Sequence, residues 1–417
     1  MARLLADLTP LRVSADFRRI MVAHCVSYVG QQMTAVAVGI QTYALTQSSF
    51  AVGLVGLFQL VPLIGFGLYG GALSDTHDRR KLGLLAAVGL MVCSVVLLST
   101  TVLGVAQVGL LYVVVAVQSA FFAIGNPARQ SIIPRLVGPE LLPAANALSM
   151  LAWGIGFSVG PLLGGVLIAA TGSVAVAYAV DVVAFSAVLY AMWRLRPVPP
   201  EGSAGSRRAG WAAVKDGLTF LRGKLNLQMS FYVDIAAMVF GMPRALFPAI
   251  AAGMYPDDPR MAATAVGVLS AAPAIGAVIS GVLSGPLGRV RRQGLAIVLA
   301  IMVWGGSIAL FGLAHWLPVA AVLLAIAGAA DNVSAVFRST MLQAATPDEY
   351  RGRLQGVFTV VVAGGPRLGD VESGTVAALT SEAFSVVSGG IACIAVVGAL
   401  VAKFPGFLKY DGRHPVP

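Results

Sequence analysis

Charged side chains inside long apolar runs are where this sequence could do chemistry: Asp181, Asp234, Arg244, Asp331, Arg367, Asp370 and Glu372. Placing one at the centre of a bilayer-spanning helix costs about 3 kcal/mol, so each is a candidate for ion binding, ligand contact or charge pairing. Arg244 with Asp370 or Glu372, and Arg367 with Asp370 three residues on, are candidate ion pairs, of structural or of ligand-binding use. The first half offers Gln31, Gln32, Gln59 and Gln118 with Trp153; uncharged amides beside an aromatic suit a large polar organic ligand better than an inorganic ion.

The elements that must position these groups follow from composition. Of 417 residues, 58% are hydrophobic and 11% charged, where a soluble protein carries roughly 25% charge. A water-soluble fold is excluded, and 48 glycines fit helices packed closely in a bilayer. Apolar runs of spanning length begin near Ile20, Val52, Leu82, Val108, Leu142, Val174, Leu227, Ala265, Leu295, Leu317, Leu354 and Phe384. The expectation is an all-α membrane protein of twelve transmembrane helices in two pseudo-symmetric six-helix bundles, with both termini on the same side. The first run, behind Arg12, Arg18 and Arg19, is too long for a signal-peptide core.

Lys and Arg placement sets the orientation. An N-in, C-in chain puts on the inner side the terminal arginines, Arg79, Arg80 and Lys81, Arg129 and Arg135, and the long middle loop. It adds Arg289, Arg291 and Arg292, Arg338, Arg351 and Arg353, and the C-terminal Lys403, Lys409 and Arg413. The opposite loops hold only Arg260. The formal charge of +10 is thus a topology signal, with no nucleic-acid partner implied. Cys25, Cys93 and Cys393 lie in apolar runs and imply no disulfide framework.

A polar stretch from Arg194 to Lys224 opens with the Pro- and Gly-rich segment from Pro197 to Gly205 and divides the chain. The expected organisation is a first bundle at 1–193, a linker at 194–226 and a second bundle at 227–417. Within the linker, Trp211, Val214, Leu218, Leu221 and Leu225 recur at helical spacing opposite Lys215 and Arg222, which predicts an amphipathic helix lying on the membrane surface. Gly71, Asp75 and Arg79 correspond to Gly281, Gly285 and Arg289, with glycine in place of the acid, and Arg129 and Glu140 recur as Arg338 and Glu349. Tandem halves of this kind are found in one class of secondary transporter.

Two motifs carry further information. The loop after the second helix holds Gly71, Asp75, Arg79 and Arg80: a small residue for close approach, an acid able to face a helix N-terminus, and arginines suited to phosphate headgroups. Such a cluster either latches two moving parts or simply fixes topology. The fifth helix places Gly156, Gly160 and Gly164 on one face, with Pro161 and Gly165 beside them. That face is flat, and Pro161 removes a backbone donor and invites a bend. The pattern serves either a sealing contact between halves or ordinary small-residue packing. A weaker echo, Gly364, Gly365, Pro366 and Gly369, lies in the eleventh helix.

With its loop signature and fifth-helix motif, the chain resembles the major facilitator superfamily; Asp78 stands where the family's loop usually has glycine. The resemblance implies that helices one, four, seven and ten line a central cavity, so that Asp234 and Asp331 face the translocation path, where desolvation favours protonation and either is a candidate site for the coupling proton or sodium ion, while Asp181 sits peripherally, in a structural hydrogen bond. The fifth-helix motif resembles that of the exporters. Asp16 to Arg19, Ser48 to Leu54, Asn126 to Arg129, Leu136 to Glu140, Leu246 to Ala249, Met341 to Gln343 and Thr346 to Glu349 are similar to the enterobactin-exporter branch, which also includes multidrug pumps.

No Gly-rich phosphate loop occurs, so an ion gradient is the expected driver. His24, His77, His315 and His414 form no metal spacing, and no cofactor is implied. The sequence therefore reads as a monomeric secondary exporter in the bacterial cytoplasmic membrane, coupled to protons or sodium, with a siderophore-like or other amphipathic small-molecule substrate. A multidrug antiporter is the alternative; a membrane sensor or a membrane-embedded enzyme is the reading from another class.

Overall fold

The computed structural model of the protein describes residues 7–198, 215, 219–285, 287 and 290–412. It is all-helical apart from one isolated bridge, Arg292 to Asp411, among the described residues. Twelve long helices follow in order: α1 Ala15–Thr46, α2 Ser49–Thr76, α3 Arg79–Val102, α4 Val108–Leu136, α5 Leu142–Thr171 and α6 Ala175–Arg194. Then come α7 Leu225–Met254, α8 Pro259–Val282, α9 Gln293–Phe311, α10 Leu317–Ala345, α11 Asp348–Leu379 and α12 Glu382–Lys403. Among the described residues ten are long and apolar enough to cross a membrane. The others, α1 and α11, have 32 residues each, about 48 Å at 1.5 Å per residue, and carry more polar side chains.

Several helices begin before their apolar runs do, because polar residues cap them. Asp78 accepts a hydrogen bond from the Arg80 N–H, Asp258 from those of Arg260 and Met261, and Ser381 from that of Phe384. The seventh run is not one continuous helix. It is helical over Leu225–Phe240, breaks at Gly241, Met242 and Pro243, makes a tight turn at Arg244–Leu246 and resumes over Phe247–Met254. Pro243 cannot donate to a helical ladder, and Gly241 is favoured in irregular backbone. The middle linker falls largely outside the described residues.

The helices group into two compact units, 1–45 with 58–210 and 46–57 with 211–417. The opening turns of α2 thus belong with the second unit: Ser49 donates to Glu382 at 3.0 Å, and Gly53 and Gly56 lie against the α11 backbone at Asp370 and Arg367.

Each unit repeats one packing device. In unit 1, Gly156, Gly160 and Gly164 of α5 rest on Tyr28, Val29, Gln32 and Met33 of α1. In unit 2, Gly365 and Gly369 of α11, each 209 residues on from Gly156 and Gly160, rest on Met238 of α7. Unit 2 adds a reciprocal contact in which Gly276 of α8 meets the Ala325 backbone and Gly328 of α10 meets that of Pro273. Because both obstructing groups are main chain, no rotamer change makes room. Gly328→Leu is expected to cost about 3 kcal/mol or more, seen as a fall of several degrees in the melting temperature of the detergent-purified chain; an unshifted transition would refute the contact.

Candidate functional site

Asp234 of α7 meets Arg338 of α10 in an ion pair buried from solvent, the side chains being 2% and 3% exposed. Asp331, two helical turns before Arg338, lies 3.6 Å from its other terminal nitrogen and is 41% exposed. One guanidinium is therefore shared by a sealed carboxylate and an accessible one. Asp234 Oδ2 and Arg338 Nε have no hydrogen-bond partner among the described residues, so the cluster is held by charge more than by a complete network. The sequence reading brought out both acids but placed Arg338 in an inner loop. The structure corrects that, since Arg338 is inside α10 and buried. Its spacing of seven from Asp331 is the signal that places both on one helical face.

Arg244, in the turn after the α7 break, donates to Asp370 of α11 at 3.0 Å. Of the two acids open to Arg244 in the sequence, the structure brings Asp370 to it, while Glu372 is half-buried on the same helix. Among the described residues Arg367 makes no hydrogen bond to Asp370, although their opposite charges interact; its side chain donates to the Ala363 carbonyl of its own helix.

In unit 1, Asp78 does what the loop glycine of the family pattern could not: its Oδ1 accepts from the backbone N–H groups of Arg80 and Val198, at 2.8 and 3.3 Å. Arg80 reaches the C-terminal end of α6, donating to the Met192 and Trp193 carbonyls at 3.0 and 2.7 Å. A cation there satisfies orphan carbonyls and complements the helix dipole, so its guanidinium is engaged with protein. Arg79 donates to the Ser131 carbonyl at 3.4 Å. Gly71 and Asp75 lie within α2, their side-chain surroundings outside the described residues.

The α5 glycine face, read in the sequence as a sealing contact between halves or as plain helix packing, is filled by α1 of the same unit. Pro161 and Gly165 are buried on that helix. Gln32 takes part in the contact, and Gln31 donates to the Ser27 hydroxyl at 2.9 Å. Asp181 is fully buried and accepts from Ser94 and Thr34 at 2.7 and 3.1 Å.

Residues 5–409 match the transmembrane secretion effector family of the major facilitator superfamily, and the chain belongs to that family. It is 29% identical over 422 residues to the enterobactin exporter EntS of Escherichia coli (strain HS), spanning 99% of this chain and 97% of that one. Among solved structures it resembles the nucleoside transporter NupG, with a TM-score of 0.73 at 13% identity over 95% of this chain and 99% of that one. It also resembles a bacterial homologue of the lysosomal transporter Spinster, with a TM-score of 0.70 at 14% identity over 94% and 96%. These likenesses bear on the fold alone. Family and fold make the chain a multi-pass transporter of the bacterial cytoplasmic membrane and not an enzyme.

Proposed function

We propose that the protein exports a siderophore-like or other amphipathic organic molecule from the cytoplasm by alternating access, driven by a proton or sodium gradient, as an N-in, C-in monomer. The substrate class is supported by the near-full-length likeness to an enterobactin exporter, and the coupling by the cluster in which Arg338 serves two acids of unequal exposure. With both acids ionised the cluster carries one net negative charge. A proton or sodium ion arriving at Asp331, the accessible member, cancels it and leaves Arg338 to Asp234. In a medium of low dielectric that change differs in free energy between conformations, which is what a coupling ion must supply to shift a population.

The test is flux. Liposomes containing the purified chain, loaded with enterobactin or surrounded by it, are expected to move it in exchange for protons or sodium ions under an imposed pH or sodium difference, and to stop when the gradient is collapsed. Movement of cationic dyes in place of enterobactin would turn the reading toward multidrug efflux. If neither solute moves under either gradient, the proposal is wrong.

A further inference from the structure

We propose that unit 1 holds a small anion between Arg129 and His24. The starting point is the repeat. Arg129 of α4 precedes Arg338 of α10 by 209 residues, yet the positions 209 before Asp234 and Asp331 are Cys25 and Phe122. Unit 1 repeats the cation without its carboxylates. Its guanidinium donates to Asn126 Oδ1 at 2.6 Å and lies 5.0 Å from the centre of the Tyr28 ring. Among the described residues no acid pairs with it.

Beside Arg129 is a cavity of about 40 Å³, walled on its polar side by His24, Ser27, Gln31, Asn126 and Arg129 and elsewhere by apolar groups, Phe122 among them. His24 is 9% exposed, and its Nε2 has no hydrogen-bond partner among the described residues. A neutral imidazole with its proton on Nε2 is a donor. Two donors therefore converge where no acceptor charge is built in, and a charge held in a helix bundle needs a counter-charge. A water needs roughly 10–15 Å³ by the same measure of space. The cavity therefore has room for chloride, or for one terminal carboxylate of a larger ligand.

Binding is testable without transport, so this proposal stands or falls separately from the exporter reading. The full chain in detergent is heated in sodium chloride, sodium acetate or sodium gluconate at constant ionic strength, gluconate being the reference because its carboxylate adjoins a hydroxylated carbon chain that the apolar walls disfavour. Chloride, acetate or both are expected to raise the melting temperature saturably, by several degrees over gluconate. A chloride response assigns the site to free inorganic anions and an acetate response to a ligand's carboxylate; responses that are not additive show one shared site. Arg129→Gln should lose the effect. Phe122→Asp, which sets a carboxylate seven residues before Arg129 as Asp331 is before Arg338, should make the protein indifferent to anions. No saturable response in the unaltered chain, or a full response surviving in Arg129→Gln, overturns the proposal. If Arg129→Gln does not fold, a full response in Phe122→Asp does so instead.

Discussion

Asp331→Asn is expected to reduce gradient-driven efflux to the passive rate while leaving the melting temperature within a degree or two of the unaltered chain. The amide keeps the side chain's shape, and Arg338 keeps its close partner Asp234, so the fold loses only a loose contact of 3.6 Å. Asp234→Asn should behave differently, because it leaves Arg338 buried without its close partner. Removing one member of a buried pair costs about 3–5 kcal/mol, so this variant is expected to lose folded protein before it loses coupling. Arg338→Gln should be as damaging, since it leaves Asp234 sealed and alone. The double variant Asp234→Asn with Arg338→Gln removes both charges and should recover much of the stability, though no transport. Thermal scans beside vesicle flux read all four, and the interaction is the departure from additivity. Full coupling in Asp331→Asn would remove it as the ion site, and equal stability of all four variants would show that the pair is not formed.

That separation of roles was hidden in the sequence for a physical reason. Apolar run length fixes where helices lie, so the spans were legible, some of their ends being extended by caps such as Asp78 and Asp258. Run length says nothing of depth for a cation near the end of a span, and counting Lys and Arg by side credited Arg338 to a loop. The α7 break was written in Gly241 and Pro243, but a hydropathy run passes over it. For Arg244, two candidate acids two residues apart point to opposite sides of a helix, so only one could meet it; which one depends on the rotation of α11, fixed by packing. The α5 glycines announced a flat face by their spacing, and only the fold shows that α1 fills it.

That flat face carries the other large effect. A Cβ at Gly160 would come within 2.9 Å of the Val29 carbonyl oxygen, and one at Gly164 within 3.2 Å of the Met33 Cα. Both obstacles are main chain of α1, so added bulk must push α1 and α5 apart. Pro161→Ala alone restores an N–H to the ladder and is expected to be mild, within about 1 kcal/mol. Gly164→Leu in the same chain forces the helices apart at one point, at about 1–3 kcal/mol or more, and α1 carries Gln31 and Gln32 with it. The expected result for Pro161→Ala with Gly164→Leu is a folded but proton-leaky transporter, seen as faster collapse of a pH difference across liposomes reporting through a trapped dye. Gly160→Leu, whose nearest backbone obstacle is closer, should fail to accumulate as folded protein. If the double variant is proton-tight and fully active, the α1–α5 contact is not what keeps the path sealed, and the glycines serve helix packing alone.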